Sequence, residues 1–393
     1  MSWESKTLGE ISLSIQTGPF GSQLHQSDYS DDGTPVVMPK DLMNGTISEE
    51  SIARVSKEHV ERLEKHKIQE GDILYSRRGD VGRCAFTSER EKGWLCGTGC
   101  LKVRIDKEKA EPKFVFFQLQ KAETIGWVVN HAVGSTMLNL NTSILNALPV
   151  DVPEIEIQRK IVSILAAYDE LIENNQKQIK LLEEAAQRLY KEWFVNLHFP
   201  GYEDVEIVDG VPKGWKKERL VDIAIVQYGY AFDGSKFNDD GKGMPIIRIR
   251  NIPTGNTLDF TTEDADVKYI ISNGEILVGM DGEFHINTWS GDNAYLVQRS
   301  CCFRPKKKEM NGWLLCAINK PIKYYEKTIV GATVSHLGKK HIDSIELLTG
   351  PSELYAPFQK YFDKRQHLLN QNWLLIEARD RLLPKLMSGE IEV

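Results

Sequence analysis

The segment LLEEAAQRLYKEWF at residues 181–194 has a second copy, LLIEARDRLLPKLM, that begins 193 residues later and covers 374–387. Six of the fourteen aligned positions are identical, and the interval is about half of the 393-residue chain. Self-similarity at a long interval indicates an internal repeat, and a repeat sets the architecture of the whole molecule.

Four further blocks occur in the same order in both halves of the chain. The first half contains LGEISLSIQTG (8–18), GTPVVMPKDLMNGTI (33–47), GDILYSRRGD (71–80) and GSTMLNLNTSILNALPV (134–150). Their counterparts in the second half are LVDIAIVQYG (220–229), GMPIIRIRNIPTGNTL (243–258), GEILVGMDGE (274–283) and GATVSHLGKKHIDSIEL (331–347). Chance does not produce four ordered matches, so we interpret the chain as two copies of one unit.

Each copy is predicted to be a mixed, strand-rich domain of about 150 residues followed by a long helix. The predicted strands are PVVMP (35–39), GDILYS (71–76), CLKVRI (100–105), PIIRIRNI (245–252), GEILVG (274–279) and SCCFRP (300–305). One short helix with an apolar face is expected in each half, at 114–129 and 313–329. The predicted fold class is therefore α+β, with two similar α/β domains, two long helices and an internal pseudo-two-fold repeat.

The two long helices carry narrow apolar seams that step by four and then three residues. The seam residues are Ile161, Leu165, Tyr168, Ile172, Asn175, Ile179, Leu182, Ala186, Leu189 and Trp193 in the first helix, and Leu369, Asn372, Ile376, Leu383 and Leu386 in the second. Such a seam favours a coiled coil between the copies over a surface helix packed on its own domain, which needs a wider apolar face. We expect Asn175 and Asn372 to set the register, because polar seam residues do so at some cost in stability.

Composition narrows the functional class. The net charge is −7, which by itself argues against a free-standing nucleic-acid binder but leaves room for local basic patches. No long apolar run and no signal-peptide pattern occur, so we expect a cytoplasmic protein. The six cysteines form no CxxC pair, and buried, reduced thiols are expected.

Catalytic motifs are missing from the sequence. It contains no GxxxxGK[ST], GxGxxG, HExxH or GxSxG motif, and no Asn/Asp-Pro-Pro-Tyr/Phe stretch of the amino-methyltransferase type. A binding role is therefore favoured over an enzymatic one.

Polar and aromatic residues on Gly-rich loops at equivalent places in the two halves are candidates for DNA contact. Arg suits guanine, Asn suits adenine, and acidic side chains accept from cytosine. For the Arg77 and Arg78 turn, a solvated hairpin is an equally good interpretation, and simple packing is the simpler account of any single aromatic residue. The candidates are Thr17, Phe20, Ser22, Lys40, Arg77, Arg78, Arg83, Asn139, Asn141, Tyr228, Tyr230, Phe232, Lys236, Arg248, Arg250, Asn251, Asp281, Lys339 and Lys340.

The most distinctive segments of the sequence are WFVNLHFPGYED (193–204), GVPKGWKKERLVDI (210–223) and LLPKLMSGEIEV (382–393). TGPFGS (17–22), GDILYSRRGDVG (71–82) and the stretch 134–161 add to them. Through these segments nearly the whole chain resembles the specificity subunit of type I restriction-modification systems.

The resemblance implies two target-recognition domains, at 1–152 and at 198–352 with its N-terminal linker. It also implies two helical regions, 153–197 and 353–393, that form an antiparallel coiled coil. Each domain would read one half of a bipartite double-stranded DNA site, and the helices would set the spacer. The chain would carry no catalytic, cofactor or metal site. It would scaffold two modification (methyltransferase) subunits and restriction (translocase and nuclease) subunits, and these partners would hold S-adenosylmethionine, ATP and Mg.

Two other functional hypotheses belong to different classes. One is a fused enzyme that itself cuts or methylates DNA; activity of the purified chain alone would support it. The other is a coiled-coil protein adapter without DNA binding. Protection of a split DNA sequence by the chain and its methyltransferase partner would exclude the adapter.

Overall fold

The computed structural model describes residues 3–134, 137–329 and 335–393. The chain divides into two compact units. Unit 1 is built from residues up to 167 together with 379–393, and unit 2 from 168–378. Parts of the repeated blocks 134–150 and 331–347, namely 135–136 and 331–334, lie outside the described residues.

Unit 1 contains short strands joined by turns, followed by helices. The strands are β1 (Glu4–Thr7), β2 (Ser12–Thr17), β3 (Tyr29–Ser30), β4 (Thr34–Val37), β5 (Leu42–Met43), β6 (Thr46–Ile47), β7 (Ala53–Val55), β8 (Ile73–Ser76), β9 (Cys84–Phe86), β10 (Leu95–Cys96), β11 (Cys100–Ile105) and β12 (Pro149–Val152). The helices are α1 (Lys57–Arg62), α2 (Pro112–Leu119), α3 (Ala122–His131) and α4 (Thr142–Ala147), and α5 (Ile155–Tyr190) begins in unit 1 and continues into unit 2. The main sheets have the orders β2-β11-β8-β9 and β10-β4-β7-β3, and β1 pairs with β12.

Unit 2 contains a similar series of short strands followed by helices, with an additional hairpin near its start. Its strands are β13 (Ile207–Val208), β14 (Val211–Pro212), β15 (Lys216–Arg219), β16 (Ala224–Tyr228), β17 (Phe237–Asn238), β18 (Met244–Ile247), β19 (Phe260–Thr261), β20 (Ile270–Ile271), β21 (Ile276–Gly279), β22 (Ile286–Thr288), β23 (Ala294–Leu296), β24 (Ser300–Pro305) and β25 (Glu346–Thr349). Its helices are α6 (Leu220–Ile223), α7 (Asn311–Ala317), α8 (Asn319–Thr328) and α9 (Lys339–Asp343), and α10 (Ala356–Ser388) begins in unit 2 and ends in unit 1.

The sheets of the two units share one topology, which confirms the predicted repeat. The order β16-β24-β21-β22 in unit 2 matches β2-β11-β8-β9 in unit 1, and the β15-β25 pair matches β1-β12. The central strands β11 and β24 pair antiparallel with both neighbours. Each is buried along most of its length, which explains the near-continuous apolar runs CLKVRI and SCCF.

Three local predictions are corrected by the structure. The helix expected at 114–129 is two helices, α2 and α3, because Lys121 is extended between them. The helix expected at 313–329 is also two, α7 and α8. Pro321 in the first turn of α8 has no amide hydrogen to continue the ladder from α7. The strand expected at 245–252 ends at Ile247, and a 3₁₀ turn follows at Ile249–Asn251.

The first long helix, predicted from residue 161 to 193, runs from Ile155 to Tyr190 and ends in a π-helical turn at Lys191–Val195. Within unit 2, α5 and α10 pack antiparallel. Asn175 Nδ2 donates to Asn372 Oδ1 at 2.9 Å, and farther along, Arg365 Nε donates to Glu183 Oε1 at 2.6 Å. The two seam asparagines are thus paired with each other.

Burial along the helices follows the first seam more closely than the second. Ile161, Leu165, Ile172, Asn175, Ile179 and Ala186 are buried, and Tyr168, Leu182, Leu189 and Trp193 are half-buried. In α10, Asn372 and Leu386 are buried, while Leu369, Ile376 and Leu383 are half-buried. Arg365 and Leu368, which lie outside the predicted register, are buried as well. The reason is that α10 also packs on the strands of its own unit: Arg365 Nη1 donates to Thr288 Oγ1 at 2.7 Å.

The six cysteines are buried free thiols, as predicted. Within unit 1, the indole of Trp3 lies beside Gly389, so the segments that precede β1 and follow α10 are close together. None of the helices in the described ranges combines the length and apolarity that a bilayer crossing requires.

Candidate nucleic-acid interface

Three loops of unit 1 meet at the ends of β2 and β8. We call residues 17–22, 77–83 and 137–141 the unit 1 edge. Main-chain hydrogen bonds join its parts: Gly18 N–H donates to Cys100 O (2.9 Å) and Gly79 N–H to Leu138 O (3.1 Å). The N–H of Leu140 donates to Arg77 O (2.8 Å), and residues 78 and 139 form an antiparallel bridge. Candidates distant in sequence are therefore held together by backbone geometry.

Close approach explains the glycine in TGPFGS. A Cβ on Gly18 would lie 1.8 Å from Gly97 O, so no side chain fits there without moving the chain. The exposed Phe20 (56% accessible) follows directly, and the Arg77 guanidinium lies 5.9 Å from the centre of its ring. This cation–π contact holds two candidates in one orientation.

The remaining unit 1 candidates differ in exposure and in whether their side chains already make contacts within the protein. Thr17 ends β2 and is half-buried, whereas Ser22 and Arg78 are exposed. Arg83 forms an exposed ion pair with Asp80 at 2.9 Å. Outside the edge itself, Lys40 Nζ donates to Ser51 O at 2.7 Å. Asn141 caps α4, because its Oδ1 accepts from Ile144 N–H at 2.9 Å, so its side chain already has a structural task.

Unit 2 has the same edge, formed by residues 228–232, 280–283 and 335–340. Gly229 N–H donates to Ser300 O (3.0 Å), and Gly282 N–H donates to Ser335 O (3.0 Å). Leu337 N–H donates to Met280 O (2.7 Å). A Cβ on Gly229 would lie 2.1 Å from Val297 O, as at the equivalent Gly18. We call these residues the unit 2 edge.

The aromatic candidates of unit 2 pack on one another rather than standing free. Tyr230 lies 4.8 Å from Phe232 and 5.1 Å from Tyr269, measured between ring centres. Phe232 is only 7% accessible and packs against Tyr295 in a small core cluster. This packing is the simpler account of the ring, because burial of its apolar area is more favourable than exposure, and its contact with DNA stays a prediction. Tyr228 is half-buried at the end of β16.

The basic candidates of the 248–251 turn are tied to an acidic residue. Arg250 Nη2 donates to Asp259 Oδ1 at 2.5 Å, and Asn251 Nδ2 donates to Asp259 Oδ2 at 3.2 Å. Arg248 lies 5.5 Å from the ring centre of Phe237, a second Arg–aromatic contact. The remaining lysine candidates, Lys236, Lys339 and Lys340, are exposed; the last two are in the first turn of α9.

Asp281 is the centre of a cluster that sequence reasoning identified only in part. Its Oδ1 is 2.5 Å from Nδ1 of His336, and its Oδ2 is 3.3 Å from Nη1 of Arg299. His336 and Arg299 were not among the candidates, although both side chains are mostly exposed. Alignment of the repeated blocks places His336 opposite Asn139, which was the available signal. Arg299 has a left-handed backbone with φ of 69°, rare for a non-glycine residue.

Several buried polar atoms without a hydrogen-bond partner lie in or beside the two edges. In the described part of the chain these are Arg77 Nε, Asn139 Oδ1, Tyr228 OH and Ser300 Oγ, and others lie elsewhere, such as Trp313 Nε1 and Gln359 Oε1. Each such atom costs about 1–3 kcal/mol.

A structural ion pair behind each edge is also duplicated. In unit 1, Arg104 Nε donates to Asp72 Oδ1 at 2.7 Å; in unit 2, Arg304 pairs with Glu275. The hydrogen bond that Arg104 donates to Asp72 raises the pKa of Arg104, and the one that Arg304 donates to Glu275 raises the pKa of Arg304. Each pair joins the loop that precedes β8 or β21 to the central strand of its sheet.

The chemistry of both edges is that of a binding surface. They present guanidinium, amide, imidazole and ammonium groups, which suit phosphates and base edges. Across the described ranges, His, Cys, Asp and Glu side chains form no group of three suited to a metal ion.

Comparisons with known proteins agree with this architecture. The family model for the type I restriction modification DNA specificity domain matches residues 1–184 and 212–372. The MjaIX specificity subunit of a type I restriction enzyme from Methanocaldococcus jannaschii is 25% identical, over 93% of this chain and 88% of that protein. The HindI specificity subunit from Haemophilus influenzae is 24% identical, over 83% of this chain and 88% of that protein.

A solved structure shares the fold. The S subunit of a type I restriction-modification system from M. genitalium superposes with a TM-score of 0.58 and 18% identity, covering 98% of this chain and 96% of that one. The family match extends over most of the chain in two copies, and the two copies have one topology. The chain belongs to the family of type I restriction-modification DNA specificity subunits, the non-catalytic components that carry DNA recognition.

Proposed function

We propose that each unit reads one half of a bipartite DNA sequence through its edge, and that the paired helices α5 and α10 set the distance between the half-sites. The observation that carries the proposal is the duplicated edge: one backbone arrangement occurs twice, with different side chains. Two copies of one scaffold suit two half-sites on one duplex, and unlike side chains suit an asymmetric sequence.

Pairing of α5 with α10 supports the role of a spacer. The buried Asn175–Asn372 hydrogen bond disfavours axial slippage, because a shift would leave both amides unpaired among apolar residues. A helix rises about 1.5 Å per residue and B-DNA about 3.4 Å per base pair. One heptad therefore corresponds to about three base pairs.

The chain would act in the cytoplasm as the scaffold for two modification subunits. An internally repeated chain offers two similar surfaces, which suits two identical partners. Those partners would supply S-adenosylmethionine and adenine methylation, and restriction subunits would supply ATP- and Mg-dependent translocation and cleavage. Partner contacts to phosphates would offset the net charge of −7 on this chain.

The experiment is genome-wide mapping of methyladenine in a host that carries the modification subunit, with and without this chain. The expected result is one split motif that depends on the chain. Absence of any chain-dependent motif in a host where the modification subunit is present and associated with the chain would contradict the proposal.

A paired insertion tests the spacer. One heptad is added to α5 and one to α10 at the level of Asn175 and Asn372, so that the antiparallel pairing is kept. The non-specific spacer of the motif is expected to lengthen by about three base pairs with both half-sites unchanged. A single insertion in α5 is the control, which should abolish assembly or methylation. An unchanged spacer in the paired variant would eliminate the measuring role of the helices.

A further inference from the structure

The two edges can be matched residue by residue, because their hydrogen bonds are the same. Cys100 pairs with Ser76 in unit 1 and Ser300 with Gly279 in unit 2, which makes Arg78 equivalent to Asp281. Gly79 N–H donates to Leu138 O and Gly282 N–H to Ser335 O. These bonds make Asn139 equivalent to His336.

The equivalent residues face each other across a β-bridge in both units. Arg78 is bridged to Asn139, and Asp281 is bridged to His336, antiparallel in each case. Residues opposed in an antiparallel bridge place their side chains on the same face, with Cβ atoms about 5 Å apart. Each unit therefore presents a two-residue pair at the same place on the same backbone, and we call these the bridge pairs.

Chemistry, not geometry, distinguishes the two bridge pairs. Unit 1 presents a guanidinium and an amide, and both of these groups donate hydrogen bonds to base edges. Unit 2 presents a carboxylate and an imidazole. The carboxylate of Asp281 is only 20% accessible and is engaged by His336 Nδ1 and by Arg299. A carboxylate in that state is a poor acceptor for a cytosine amino group.

Resting on the function proposed above, we infer that the bridge pairs, together with Arg299 beside the second pair, determine the specificity of the two half-sites. In unit 1, Arg78 and Asn139 contact base edges directly. In unit 2, Asp281 is a positioning residue, and the groups that contact DNA are His336, with 58% of its side chain accessible, and Arg299, with 69%.

The hydrogen-bond pattern fixes what the imidazole offers. A carboxylate accepts only, so Nδ1 of His336 is the donor in its contact with Asp281. Nε2 is then the ring nitrogen left for another partner. In the neutral ring Nε2 accepts, which suits the amino group of adenine or cytosine, while the neighbouring Arg299 suits guanine or phosphate.

The test measures methylation by the assembled modification complex on duplexes that carry the mapped motif or single-base changes of it. Arg78→Ala and Asn139→Ala are expected to lower the discrimination ratio about ten- to hundredfold at positions in one half-site. His336→Ala and Arg299→Ala are expected to do the same in the other half-site only. Glu206→Gln is the matched control: its exposed carboxylate pairs with Lys213 in unit 2, outside the unit 2 edge, and discrimination should be unchanged.

A positioning role for Asp281 predicts a distinct result in single and double variants. Asp281→Asn should reduce discrimination at the positions affected by His336→Ala, and the double variant Asp281→Asn/His336→Ala should be no worse than His336→Ala alone. Additive losses would show that Asp281 acts independently of His336 and would overturn its positioning role. A merely structural role would instead weaken methylation of all sequences equally.

The outcomes separate the two proposals. If the unaltered complex methylates a split motif and the bridge-pair variants assemble but keep full discrimination in both halves, this inference is wrong and the proposed function stands. If the unaltered complex shows no sequence preference, both are overturned. Melting curves and complex formation of each variant establish that a loss of discrimination is not a loss of folding.

Discussion

Units 1 and 2 have the same backbone scaffold, including individual hydrogen bonds, but they differ in the side chains at particular positions. Behind the edge, Lys102 of β11 is equivalent to Cys302 of β24. Lys102 pairs with Leu74, and Cys302 pairs with Leu277, the residue of unit 2 that is equivalent to Leu74. Lys102 is buried and its Nζ donates to Lys67 O at 2.6 Å, whereas Cys302 needs no partner. A backbone topology of this kind tolerates quite different interiors, provided that each buried polar group is satisfied.

A second pair of equivalent positions differs in the same way. Arg104 and Arg304 reach the carbonyls of Lys67 and Ile270, which makes the neighbouring His66 and Tyr269 equivalent. His66 is 4% accessible, and neither ring nitrogen has a partner in the described part of the chain. Tyr269 is half-buried and lies beside Tyr230. Unit 1 therefore contains a buried titratable group that unit 2 lacks at that position, and this teaches that the repeat preserves shape more strictly than chemistry.

The largest expected effect tests the shared backbone. Gly18→Ala and Gly229→Ala should each lower the free energy of unfolding of their own unit by about 3 kcal/mol, because the added Cβ would overlap a carbonyl oxygen in both units. Hydrogen–deuterium exchange resolved by peptide would assign the loss to one unit. Gly21→Ala and Gly234→Ala are the matched controls, since a Cβ there meets nothing within 4 Å. If only one of the two variants were destabilised, the equivalence of the edges would fail.

A smaller effect is expected from the buried His66, which distinguishes unit 1 from unit 2. Burial, together with the smaller effect of the neighbouring charges of Lys65 and Lys102, lowers the pKa of His66 to about 4. The unfolded imidazole takes up a proton near pH 6.5, so the stability of unit 1 is lost as the pH falls from 6.5 towards 4. We expect a loss of about 2 kcal/mol between pH 7 and pH 5.

The control for that prediction is internal. His66→Leu should flatten the pH dependence of exchange in unit 1 over this range, while unit 2, with Tyr269 in the equivalent place, should not change. An equally steep loss in the variant would assign the pH dependence to other groups.

The smallest effect concerns the helices, where each copy contributes the same residue type. Asn175→Leu leaves Asn372 without its 2.9 Å partner and should destabilise unit 2, as should Asn372→Leu. The double variant should cost less than the sum of the single variants by about 1 kcal/mol, because no buried amide is then left unpaired. The measurement is a double-mutant cycle in urea, and additive losses would indicate that the two amides are not coupled.

Much of the fold followed from local patterns. The repeat, the strand-rich halves, the burial of the cysteines and the first helix seam are visible in the sequence, because spacing along the chain reports which face of an element is buried. The second seam was predicted less well. Arg365 and Leu368 are buried because they pack on β22 and its surroundings. The spacing of apolar residues along the sequence cannot predict that an arginine is buried.

What the sequence determined alone is the duplication, the two long helices and the loops in which the units differ. What only the tertiary structure decided is which side chains meet in those loops. Asp281 and His336 are 55 residues apart, and Phe232 is on a polar loop yet buried. Such contacts depend on long-range packing, because a side chain's partner is set by the elements that fold over it and not by its neighbours along the chain.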